Sequence, residues 1–177
     1  INNTCLKNLN LRDNMLFGSD IAPIAEGLSQ NSTLVSLTLG RVELDSSDKD
    51  KIHRTLRQHS TLTTLTLHHL SSMMHAGYFL NVFPSLTSLH LVKSDDFMGE
   101  IESMCDALMQ HTSLEKLSVV SMVDKIKSEN VKKLSGAISQ NSSLRVLDLS
   151  KTEVKNDQDE EVIRKVCEAK KIQLKWE

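Results

Sequence analysis

QNSTLVSLTL, residues Gln30 to Leu39, returns almost unchanged as QHSTLTTLTL (Gln58 to Leu67), QHTSLEKLSV (Gln110 to Val119) and QNSSLRVLDL (Gln140 to Leu149). One phrase written four times in 177 residues marks a chain assembled from copies of a single unit. The first leucine of each L-x-x-L-x-L segment gives the period. These anchors are Leu6, Leu34, Leu62, Leu86, Leu114 and Leu144, so the spacings are 28, 28, 24, 28 and 30. After each anchor, apolar residues alternate with polar ones: Leu9/Leu11, Leu37/Leu39, Leu65/Leu67, Leu89/Leu91, Leu117/Val119 and Leu147/Leu149. A period of two is that of a strand with one buried face.

Between the phrases the period lengthens. Ile21, Ile24, Ala25 and Leu28 form one helical stripe, as do Ile101, Met104, Cys105 and Leu108, and Val131, Leu134, Ser135 and Ile138. Helix-start residues precede the helices: Ser19-Asp20, Ser46-Ser47-Asp48, Ser128-Glu129 and Asp157. Each unit is therefore a strand, a loop and a helix that cannot bury its own apolar face. Stacking buries it, with parallel strands on one side, helices on the other and rows of leucine between. A helix is wider than a strand, so the stack must curve with its strands lining the concave side.

These phrases, with LKNLNLRDN (Leu6 to Asn14), resemble leucine-rich repeats, and the 28-to-30 spacing with helical stripes resembles the ribonuclease-inhibitor-like subclass. The resemblance implies an α/β fold, a right-handed horseshoe arc, over essentially the whole chain. It implies protein binding but no particular partner, since the subclass includes ribonuclease inhibitors, sensor regions of NOD-like receptors, GTPase-activating proteins and the actin-capping tropomodulins. Two departures stand out. The family places Asn or Cys three residues after the last strand leucine; Asn14 fits, whereas Val42, Leu70, Ser94, Met122 and Thr152 do not, so the polar ladder is expected to be mostly lost. The third unit, Leu62 to Ser85, is four residues short and carries Pro84, which predicts a shortened helix.

The chain is expected to form one solenoid of about six repeats over residues 1–177, with a capping helix and strand over 157–177. Ile1 to Leu6 align with the end of a helix entering a strand, so further repeats or another domain are expected upstream. At the other end, Trp176 is read as a lid on the last layer.

The totals narrow the function. A net charge of −2 calls for neither nucleic acid nor an anionic membrane. No apolar run approaches the roughly 18 residues that span a bilayer. Three scattered cysteines form no disulfide framework, which fits a cytoplasmic chain with reduced thiols. No phosphate loop, zinc motif, nucleophile elbow or spaced carboxylate pair is present, so neither catalysis nor a cofactor is expected.

The concave columns can be written out from the register. Asn8, Ser36, Thr64, Ser88, Lys116 and Val146 form one; Asn10, Thr38, Thr66, His90, Ser118 and Asp148 the next; Arg12, Gly40, His68, Val92, Val120 and Ser150 the third. This surface is small, polar and without aromatics, whereas interfaces draw most of their energy from Trp, Tyr and Arg. Candidate contacts on it are Arg12, Arg41, His68, His90 and Lys116. Tyr78, Phe79 and Phe97, with Phe83, cluster around the short unit; core filling is the primary reading and an exposed partner-binding patch the alternative. His68, His69 and His90 are taken as surface histidines, not metal ligands. Asn2, Asn31 and Asn141 head glycosylation-like triplets, but they recur at one repeat position where Asn suits a helix end, with His59 and His111 replacing it elsewhere. The leading expectation is a protein-binding repeat region of a NOD-like receptor or similar intracellular protein. A tropomodulin-like capping module and a small-GTPase regulator are the alternatives.

Overall fold

The computed structural model describes residues 3–14, 16, 18–40, 49, 50, 53, 54, 56, 61–69, 76–92, 97–120 and 125–176. Every L-x-L segment is a strand: β1 (Asn8–Leu11), β2 (Ser36–Gly40), β3 (Thr64–His68), β4 (Ser88–Val92), β5 (Lys116–Val120) and β6 (Val146–Asp148), followed by β7 (Gln173–Lys175). The seven lie side by side in chain order, and every neighbouring pair is parallel. Between them run α1 (Gly18–Ser29), α2 (Ala76–Val82), α3 (Phe97–Gln110), α4 (Ser128–Gln140) and α5 (Asp157–Lys170); Lys49, Asp50, His53, Arg54 and Leu56 are helical as well. The architecture is that of a leucine-rich-repeat α/β solenoid.

The leucines share one seam. Leu37, Leu65, Leu89, Leu117 and Leu147 pair across successive strands, and each is at most 1% exposed. Each such side chain contributes about 1.5–3 kcal/mol by leaving water. The helical stripes close the seam from the other side: Ile101, Met104, Cys105 and Leu108 of α3 and Val131, Leu134, Ser135 and Ile138 of α4 are all buried. Leu6, the first anchor, is 38% exposed, unlike Leu34, Leu62, Leu86, Leu114 and Leu144 at 0–2%.

The repeated phrase owes its polar residues to the helix-to-strand turn. Asn31 Oδ1 accepts the backbone N–H groups of Thr33 and Leu34 at 2.9 and 2.7 Å, while its Nδ2 donates to the Asn3 carbonyl of the preceding coil. Asn141 repeats this with Ser143 and Leu144, and its Nδ2 donates to the carbonyls of Leu108 and His111. Two residues further on, a hydroxyl reaches back to the preceding anchor carbonyl: Thr33 to Leu6, Thr61 to Leu34, Ser85 to Leu62 and Ser143 to Leu114. One side chain thus satisfies its own turn and another ties the turn to its neighbour, so the backbone groups freed at each helix end find partners.

A polar ladder is therefore present, but before the strands. The expectation for the positions after the strands also needs correcting. Asn14, which matches the family pattern, is exposed and donates within its own coil to the Arg12 carbonyl. Thr152, which does not match it, is buried and donates to the Val119 carbonyl of the coil before. A hydroxyl reaches that carbonyl as well as an amide does. Val42, Leu70, Ser94 and Met122 lie outside the described residues.

Two further readings shift by a residue. Asn156, not Asp157, caps α5, accepting the Asp159 N–H. Ser128 sits inside the first turn of α4 and donates instead to Asp159 of the next helix at 2.7 Å. The short third unit has the shortened helix its sequence predicts, α2 with seven residues against 12 to 14 in α1, α3, α4 and α5. A Cβ on its Gly77 would lie 2.2 Å from the Ser103 carbonyl oxygen, so the bare backbone is what lets α2 press against α3.

Candidate protein-binding face

Strand alternation sends the leucines inward and leaves Asn8, Ser36, Thr64, Ser88, Lys116, Val146 and Gln173 in one register row on the opposite side of the sheet. The next row holds Asn10, Thr38, Thr66, His90, Ser118, Asp148 and Lys175. From β1 to β3 the two rows carry only amides and hydroxyls. The charge gathers toward β7.

There, Asp148 lies in register between Ser118 and Lys175, with Lys116 two residues before Ser118 on β5. Burial pushes the Asp148 carboxyl up, but hydrogen bonds from the Ser150 hydroxyl (2.7 Å) and N–H (3.1 Å) and the charges of Lys116 and Lys175 outweigh it. The net shift is downward, so the group is a carboxylate at neutral pH. His90 Nε2 meets the Ser88 hydroxyl at 2.9 Å. Burial, reinforced by Lys116 and opposed by Asp148, lowers the His90 pKa below the ordinary 6.5, which leaves the ring neutral at pH 7. Ser118, between His90 and Asp148 in the row, is itself buried.

The structure brings His90 and Lys116 together and adds two partners to them. Asp148 stood in the sequence columns without being singled out. Lys175 was missed, although the 27-residue step from Asp148 announces it. The remaining candidates stand apart. His68 occupies the rim row with Gly40 and Val92, and His69 turns out of the strand with φ 51°. Arg12 is exposed in the turn after β1 and pairs with the adjacent Asp13 at 3.1 Å. Gly40 admits that turn, since a Cβ there would meet Asp13 N at 3.2 Å. Arg41 lies outside the described residues.

The alternative aromatic patch has to be corrected. Phe79 is 3% exposed and faces Phe83 with ring planes 9° apart, so it fills the core and is not a surface anchor. Tyr78 is half-buried, meets the Phe79 ring edge-on at 5.2 Å and donates its hydroxyl to the Lys49 carbonyl at 2.6 Å. Burial, with Asp50 second, pushes its phenol up. Phe97 opens α3.

Asn141, read as structural, is 2% exposed and its side chain makes five hydrogen bonds, which leaves no room for a glycan. Cys105 and Cys167 are buried, and burial pushes their thiols up to about 12 and about 11, away from reactivity. Trp176 donates its indole N–H to the Thr152 carbonyl at 3.0 Å under the Arg164 guanidinium, 5.8 Å from the ring centre. Among the described residues no helix is long and apolar enough to cross a membrane.

By sequence the chain matches no protein-family model and no curated protein. By structure it is similar to the tropomodulin C-terminal domain from Caenorhabditis elegans, with a TM-score of 0.50 and 11% identity over 96% of this chain and 86% of that one. It is similar also to leiomodin-1 actin-binding site 2, with a TM-score of 0.50 and 14% identity over 93% of this chain and 80% of that one. At such identities the likeness is one of fold: a parallel-sheet solenoid of the leucine-rich-repeat type.

Proposed function

We propose that this chain is a non-catalytic, protein-binding scaffold whose contact surface is the open face of the sheet around His90, Lys116, Asp148 and Lys175. The observation that carries the reading is the register itself. Hydrogen-bonded parallel strands β4 to β7 fix the backbone positions of these four residues on one face, so a partner meets a surface whose backbone is already ordered. Opposite charges side by side favour a partner whose own acidic and basic groups alternate, giving orientation more than raw affinity.

Two finer readings follow. Similarity along nearly the whole chain to a tropomodulin domain and to a module named for actin binding favours actin as the first partner to test, in a capping role. The sensor or autoregulatory role of a NOD-like receptor, with an upstream domain of the same chain as partner, rests on the wider resemblance alone.

Co-sedimentation with filamentous actin and capture on immobilised monomeric actin test the first reading, using the chain and its Lys116→Glu and Lys175→Glu variants. Binding that weakens at least tenfold in each variant, at an unchanged melting temperature, is expected. Unchanged binding in both variants removes the sheet face from consideration. No binding of the parent chain removes actin.

A further inference from the structure

His111 stands in the repeat position of Asn31 and Asn141, six residues before the buried strand leucine of its coil. It performs the same task with an imidazole. Its Nδ1 accepts the N–H groups of Leu114 and Ser113 at 3.1 and 3.4 Å, and its Nε2 faces the Phe83 carbonyl of the preceding coil at 3.2 Å. Two donors aimed at one nitrogen and an acceptor aimed at the other are compatible only with the neutral ring protonated at Nε2. A second proton has to enter at Nδ1, where it points into two N–H groups and displaces both bonds. The amides of Asn31 and Asn141 fill the same position and do not titrate.

Among the described residues, the surroundings offer the imidazolium no partner besides the Phe83 carbonyl. His111 as a whole is 8% exposed. The cleft beside it is lined by Leu80, Asn81 and Pro84 from the α2 side, Ala107 and Gln110 of α3, and Thr112 of the turn. From the following coil, Asn141 Nδ2 and the Ser143 hydroxyl donate to the His111 carbonyl. None of these side chains is charged or titrates near neutrality. His59, at the equivalent position two coils earlier, lies outside the described residues.

We infer that His111 is an acid-sensitive joint in the solenoid: protonation releases the turn between α3 and β5 while the Asn31 and Asn141 turns hold. The direction of the pKa agrees. Burial lowers it below the ordinary 6.5, and the Phe83 carbonyl offsets this only in part. The unfolded chain then binds the proton more readily than the folded one. Stability contributed by this group is complete above pH 6.5 and is lost as pH falls from 6.5 toward the lowered folded value.

Amide hydrogen exchange on the intact chain reads the joint directly. Protection at Leu114, corrected for the intrinsic rate, is expected to fall relative to Leu34 and Leu144 by up to about tenfold per pH unit between 6.5 and the folded pKa. His111→Asn should abolish the difference, whereas His90→Asn should leave it. An NMR titration of the His111 ring in the parent chain needs no variant to fold, and should show an Nε2–H tautomer with a pKa below 6.5. A ring that titrates at or above 6.5, or equal loss of protection at all three leucines, overturns the inference.

Discussion

At the scale of single residues, burial decides what a hydrogen bond is worth. Asn31 and Asn141 each accept the same two backbone N–H groups of their turn, but Asn31 donates to one carbonyl and is half-buried, whereas Asn141 donates to two and is 2% exposed. Removing Asn141 leaves two N–H groups and two carbonyls with no water to replace it, which costs about 2–4 kcal/mol. At Asn31 solvent takes over part of the loss, so the cost is about 1 kcal/mol. Denaturant midpoints of Asn141→Ala and Asn31→Ala check this; equal losses would show that the two N–H bonds they have in common, not burial or the extra carbonyl bond of Asn141, set the energy. The phrase itself was readable as a helix end because Asn, Ser and Thr recur there. What periodicity could not reveal is which carbonyl each side chain reaches, because that partner lies on another coil. Hence Thr152 looked like a lapse, yet it bridges two coils as well as an amide would.

Elements behave by their backbones. Gly77 and Gly136 are both helical glycines, and propensity alone predicts that alanine stabilises each by about 0.5–1 kcal/mol. The packing separates them. A methyl at Gly136 meets nothing within 4 Å, whereas one at Gly77 overlaps the backbone of Ser103. Gly136→Ala should therefore raise the melting temperature, and Gly77→Ala should lower stability by about 1–3 kcal/mol or more as α2 is forced off α3. Thermal unfolding of the two variants distinguishes a helix limited by its own entropy from one limited by its neighbour. Strands and stripes were legible in the sequence because their apolar periods are long and clean. Phe79 was legible as core filling, but the alternative of a surface patch stayed open, because a short helix rich in aromatics has the same composition whether it faces the core or solvent. His90, Lys116 and Asp148 were legible as members of columns, but their mutual influence on charge required the lateral spacing of neighbouring strands.

For the whole molecule, the governing fact is that each described strand pairs with the strands of the neighbouring coils, in chain order. The carbonyls of Lys7, Val35, Thr63, Thr87, Glu115 and Arg145 each accept backbone N–H groups from the coil that follows, so one repeated joint runs the length of the sheet. Five of the six accept two such groups; Arg145, at the last step, accepts that of Gln173. Stretched from its two ends, such a molecule should unravel as a spring loses turns and not as a globule bursts. Each released coil of 28 residues, the step from Leu9 to Leu37, adds about 95 Å of extended chain. A force–extension trace should accordingly show a sawtooth of similar increments, with the one from the 24-residue unit, Leu65 to Leu89, visibly shorter. A single large rupture would mean that the coils share their strength. A staircase would mean that the protein yields gradually under load and can rewind one turn at a time.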